Sequence, residues 1–226
     1  MNVLILAAHP DDEVLGCGGT MARLAAEGHR VGVAILGQGA ASRFAPGSPQ
    51  AAAEVAALQD KSREAAAVLG AAEVLHFGLP DNRFDSLDLL DVVKIVEGVA
   101  ERLAPEMVYV QHGGDLNVDH AVTFRAALTA FRPLPGSPVR ALFAYEVASS
   151  TEWAFGQFAP AFAPDTFVDV AATLDRKLAA LAAYEGELRP FPHPRSERAV
   201  RAQAEWRGAA AGLAAAEAFA TVWRRM

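Results

Sequence analysis

The chain has 226 residues, 52% of them hydrophobic and 21% charged, which supports one substantial core and excludes disorder over most of its length. Its net charge of -7, with no Lys/Arg run along a face, excludes a phosphate-backbone-binding surface, so no nucleic-acid partner is expected. The single Cys17 excludes an internal disulfide and a paired-thiolate metal site, leaving His and carboxylate side chains as metal ligands.

No window reaches the roughly 18 apolar residues that cross a bilayer, so no membrane association is expected. The short apolar run at the N-terminus has no basic residues before it and reads as the first strand of a cytoplasmic protein. Residues 3–8 are that strand, 13–27 carry helical spacing closed by Gly28, and 31–36 form a second aliphatic run. This is a strand-helix-strand unit, which implies parallel strands and a right-handed crossover.

A Gly/Ser/Pro-rich stretch over 37–49 is the first long loop, of the kind that borders an active site. Further helices are expected over 51–69, 87–103, 121–130, 174–187 and 197–219. Further strands are expected over 73–77, 107–111, 141–146 and 166–170. The alternation predicts an α/β fold of Rossmann-like type, a mostly parallel sheet with helices on both faces, and one domain spanning residues 1–226. Ligands of such sheets bind beyond the carboxyl ends of the strands.

The segment His9-Pro10-Asp11-Asp12-Glu13 follows the first strand, where Pro10 fixes a turn that lets positions 9 and 12 converge. His and Asp are zinc ligands, and a catalytic zinc site commonly takes three protein ligands with one open position. Two ligands here call for a third from elsewhere. Asp119-His120 also follows a strand, so His9, Asp12 and His120 can share an ion if the two strands lie side by side. Asp11 is then free to take a proton from a metal-bound water. Read alone, the acidic run is equally a charged helix N-terminus.

His9 to Glu13, followed by Gly16-Cys17-Gly18-Gly19-Thr20, resembles the opening motif of the PIG-L/LmbE-like deacetylases, and Asn117-Val118-Asp119-His120 resembles their second metal motif. The likeness extends to Arg63, Pro80-Asp81-Asn82, Ser149 to Trp153, Pro192 to Ser196, and Arg207-Gly208 with Ala216 to Phe219. It implies an LmbE-like fold with zinc on His9, Asp12 and His120 and Asp11 as base. It further implies removal of the acetyl group from an N-acetylated amino sugar or its conjugate, and self-association as in many members. Other readings left open are an amidase acting on a thiol conjugate and a non-catalytic sugar- or nucleotide-binding protein.

One position departs from the pattern. Many members carry a histidine where this chain has Asn117, there steadying an oxyanion with help from the intervening acid, here Asp119. An Asn amide donates a hydrogen bond but carries no proton, so the acid must be another group: Asp11, His112 or His193. Arg63 and Asp81 match positions that contact the sugar, and are equally readable as a salt bridge. Arg195 reads as a substrate clamp or an ion pair with a nearby carboxylate. Gly113-Gly114 reads as a flexible pair that lets Asp115 reach the site, and Glu13 as an anchor of the helix start.

Overall fold

The structure, a computed structural model, describes residues 1–45 and 47–225. Seven strands form one sheet: β1 (Asn2–Ala7), β2 (Arg30–Gly37), β3 (Glu73–Leu79), β4 (Met107–Gln111), β5 (Ala141–Tyr145), β6 (Thr166–Asp169) and β7 (Ala216–Arg224). Six helices accompany them: α1 (Asp12–Ala26), α2 (Pro49–Leu69), α3 (Leu89–Leu103), α4 (Val118–Ala130), α5 (Leu174–Ala183) and α6 (Glu197–Ala210). The strand order is β3-β2-β1-β4-β5-β7-β6, with the first five mutually parallel and β7 antiparallel to both neighbours. This is the expected α/β fold.

The alternation of β1 explains why both faces carry helices. Val3, Ile5 and Ala7 pack into a core shared with Leu15 and Met21 of α1, Leu58 of α2 and Leu178 of α5. Leu4 and Leu6 face the other way, against Val92 and Val96 of α3 and Ala126 of α4. A strand buried on both faces reads as an unbroken apolar run, as 3–8 does. The order reverses between β1 and β4, whose chains leave to opposite sides, and the crevice at that reversal lies where the two chemistry-bearing segments emerge.

The glycines of α1 are there for space. A Cβ on Gly16 would lie 2.1 Å from Tyr145 Cδ2, one on Gly18 2.9 Å from Lys177 Cγ, and one on Gly19 2.7 Å from Val170 Cβ. The helix that follows the His9–Glu13 segment is thereby pressed against β5, α5 and the end of β6. Lys177 and Glu217 form a buried ion pair at 2.7 Å, and Glu217 accepts from the Gly19 and Thr20 amides. Lys177 Nζ also donates to Leu15 O, so α1 is tied at mid-length.

The C-terminus corrects the expected helix over 197–219. α6 stops at Ala210, Gly212 turns the chain at φ 72°, and residues 216–224 enter the sheet between β5 and β6. Alanine favours helix locally, but pairing on both edges, with the first four residues of β7 fully buried, overrides that preference. The expected helix over 174–187 likewise ends early, at Ala183. No helix among the described residues is long and apolar enough to cross a membrane.

Candidate metal centre and cleft

Residues 8–11 run from the end of β1 into α1 through a strained turn. Asp11 has φ 98°, a left-handed conformation that costs a side-chain-bearing residue about 1–3 kcal/mol. Three contacts hold it: its amide donates to Glu13 Oε2 at 3.0 Å, and its carbonyl accepts from Val14 and Leu15. Glu13 is fixed from behind by the Tyr184 hydroxyl, so it anchors the helix start as expected.

His9 Nδ1 lies 3.5 Å and His120 Nε2 3.3 Å from Asp12 Oδ2, and the ligand atoms of the three residues lie within 4.8 Å of one another. Each imidazole turns its other nitrogen to a carboxylate. His9 Nε2 is 2.8 Å from Asp119 Oδ2, and His120 Nδ1 is 2.8 Å from Asp115 Oδ2. That is how metal-ligating histidines are oriented, the carboxylate fixing the tautomer that bares the inner nitrogen. A second group, His9, Asp81 and Asp119, is also close enough to hold an ion. Carboxylates of both groups also accept from protein donors: Asp119 from the Asn82 and Phe84 amides, Asp81 from Ser42 N and Oγ, and Asp12 from the His9 amide and Gln111 Nε2. The His9, Asp12 and His120 set suits a divalent ion of zinc type better because it offers two imidazoles and one carboxylate rather than one imidazole and two carboxylates.

Burial alone would lower the His9 pKa, but hydrogen bonds to Asp119 and Asp12 prevail and raise it to about 10. Burial is likewise outweighed at His120, where Asp12 and then Asp115 raise the imidazole to about 9. For Asp12, burial acts upward, yet the two histidines hold it well below the usual carboxylate range. In the metal-free protein both imidazoles are therefore favoured as cations, and each gives up a proton on binding metal. Calorimetric titration of the metal-free protein with zinc, in buffers of different ionisation enthalpy, should report release of about two protons per ion at pH 7 and tighter binding as pH rises.

The three residues line one end of a cleft of about 480 Å³. Asp11, Asn82, Asn117, Ser149 and Arg195 also line it, with Leu116, Val118 and Trp153 as apolar wall. Arg195 donates from Nη1 to Asp11 Oδ2 at 2.6 Å and from Nε to Ser149 Oγ at 2.8 Å, the ion pair foreseen as one of its two readings. Burial pushes Asp11 up to about 7 against the opposing pull of Arg195. Asn117 caps α4, accepting from the Asp119 amide at 2.9 Å, while its Nδ2 donates to Asn82 Oδ1 at 3.1 Å.

Of the remaining candidates, all but Asp81 lie apart from the cleft. Asp119 and Asp115 sit behind His9 and His120, Asp115 also accepting from Thr151 Oγ1 at 2.6 Å. The glycines beside Asp115 serve packing rather than reach: a Cβ on Gly113 would meet Phe124 at 2.4 Å, and one on Gly114 would meet Pro160 O at 2.2 Å. His112 is buried with Nε2 2.7 Å from that same Pro160 O, outside the cleft lining. His193 packs edge-on against Trp153 and accepts from the Arg195 amide, one layer back. Arg63 is exposed and pairs with Asp60, so the anticipated Arg63–Asp81 pair does not form. Asp81 does line the cleft, 3.5 Å from His9 Nε2. Two polar cleft residues escaped the sequence reading, the bidentate pair Arg43–Glu187 at 2.6 and 2.8 Å. Arg43 lies in the Gly/Ser/Pro-rich loop already suspected of bordering the site, whereas Glu187 falls where a helix was expected.

Comparison with known proteins converges on the same region. The family model described as PIG-L, GlcNAc-PI de-N-acetylase, matches residues 4–131, more than half of the chain and all three residues of the metal group. A protein of Escherichia coli (strain K12), described as the uncharacterized deacetylase YaiS, is 28% identical over 139 residues, 59% of this chain and 70% of that protein. A Bacillus cereus protein described as a probable N-acetyl-alpha-D-glucosaminyl L-malate deacetylase is 25% identical over 191 residues, 82% of this chain and 83% of that one. The crystal structure of the conserved protein TT1542 from Thermus thermophilus superposes with a TM-score of 0.76 at 28% identity, covering 100% of this chain and 96% of that one.

Proposed function

The chain belongs to the PIG-L (GlcNAc-PI de-N-acetylase) family, and from that premise we propose that it is a zinc-dependent hydrolase removing the acetyl group from an N-acetylated amino sugar or its conjugate. One observation carries the reading: His9, Asp12 and His120 converge at the end of the cleft, each imidazole backed by its own carboxylate. A divalent ion there would supply Lewis acidity toward the amide carbonyl and toward water.

The chain's own groups do the rest. Asp11 accepts a proton from the attacking water and returns it to the departing nitrogen, a double duty that suits a carboxyl whose pKa burial raises. It is the one general-acid candidate among Asp11, His112 and His193 that lines the cleft. Arg195 fixes its orientation through the 2.6 Å contact. Asn117 keeps one Nδ2 hydrogen beyond its bond to Asn82, and we assign that hydrogen to the developing oxyanion. Asp115 and Asp119 orient the two histidines, and Trp153 and Leu116 provide apolar surface for a sugar ring.

The test is a panel of N-acetylglucosamine, its glycosides and N-acetylglucosaminyl malate, followed by primary-amine release with metal analysis of the same sample. Equal amounts of amine and acetate, lost on chelation and restored by zinc, are expected. Absence of amine from every member by a zinc-loaded protein overturns the reading.

A further inference from the structure

A second cavity, of about 470 Å³, lies beside the first and shares Asp81 with it. Asp81 lies on their shared border. Its Oδ1 is 3.5 Å from His9 Nε2, while its Oδ2 accepts from Ser42 N and Oγ at 3.0 and 2.5 Å, and Ser42 lines the second cavity. The rest of the lining is mainly apolar, with Ala41, Phe44, Ala52, Val55 and Pro80, and it includes Gln38, Ser48 and Arg83. Arg83 is exposed and makes no ion pair among the described residues, unlike Arg43 and Arg195, which are paired to Glu187 and Asp11.

We infer that this cavity is the subsite for the aglycone of the substrate, taking an apolar group that bears an anionic substituent. The inference rests on the reading of the first cleft as an amino-sugar deacetylase site. A sugar whose amide carbonyl meets the His9, Asp12 and His120 group borders this space along Asp81. The apolar walls suit an aryl or alkyl aglycone, which the space of about 470 Å³ admits with room to spare. The polar oxygens of Asp81 are turned to Ser42 and His9, so Arg83 is left as the cation that meets a carboxylate or phosphate.

The experiment compares kcat/KM for the methyl, phenyl and 4-carboxyphenyl glycosides of N-acetylglucosamine, as both anomers, on the zinc-loaded protein. Burial of the ring predicts about a tenfold or larger gain from methyl to phenyl, and one exposed charge pair adds roughly two- to fivefold for the carboxylate. Ala52→Phe places a ring in the aglycone's space and should bring phenyl to within about twofold of methyl while leaving the methyl glycoside unchanged. Arg83→Gln should remove only the carboxylate increment. A phenyl glycoside no better than methyl, or an Ala52→Phe loss shared equally by all three, overturns the inference. Binding of 4-carboxyphenyl glucoside, which has no amide to cleave, is followed in parallel by ligand-observed NMR. If no glycoside releases amine, the deacetylase reading fails, and this arm alone decides the cavity: binding lost in Ala52→Phe supports it, and no binding to the unaltered protein overturns it.

Discussion

His120→Ala should lower bound zinc from about one ion per chain to a trace, and abolish amine release in proportion. Zinc sites of four ligands gain about 10–16 kcal/mol, or roughly 3 kcal/mol for each, so losing one weakens affinity by about a hundred- to a thousandfold. Asp12→Ala should do the same. These changes also disturb a buried charge cluster: without His120, Asp12 and Asp115 lose a shared cation, and an uncompensated buried charge costs about 3–5 kcal/mol. Asp115→Asn is the gentler companion, since it keeps the shape and alters only the group behind His120. It should weaken zinc by about ten- to a hundredfold with the fold intact by circular dichroism. Metal content and chelator-competition titrations read all three. Unchanged zinc in Asp12→Ala and His120→Ala would remove these residues as ligands.

The grouping of His9, Asp12 and His120 was readable because each part is local. His9 and Asp12 stand three residues apart on a turn that Pro10 stiffens, and His120 follows a strand whose apolar run is unmistakable. Only the adjacency of β1 and β4 had to be assumed, and the reversal of strand order at that point supplies it. The groups that surround Asp11 were not readable in the same way. Arg195 reaches it across 184 residues, and Glu187 reaches Arg43 across 144, from a turn whose position depends on α5 ending at Ala183. Nothing in the residue types alone separates an Arg that clamps a substrate from one that clamps a neighbouring carboxylate. The helix expected through Phe219 failed for a related reason, because alanine's local preference carries no information about an empty slot between β5 and β6. Gly113 and Gly114 were misread as hinges since a glycine demanded by Phe124 and Pro160 O looks, in sequence, like one demanded by motion.

The second large effect separates proton transfer from metal binding. Asp11→Asn should retain zinc and lose about a hundred- to ten-thousandfold in kcat/KM, the range a positioned base contributes. Asparagine is the informative replacement because it tolerates the left-handed φ of 98° that alanine would strain, and it keeps a side-chain oxygen facing Arg195. The pH profile adds a sign. Burial raises Asp11 to about 7 while Arg195 pulls it down, and the active base is the ionised form, so activity should rise with pH through the Asp11 pKa. A cation beside Asp12 moves that limb lower than the metal-free value. Arg195→Met removes a cation from the other side, so its limb should move to higher pH while zinc content stays constant. An Arg195→Met profile displaced to lower pH, or an Asp11→Asn protein with near-normal turnover, would take the base role away from Asp11.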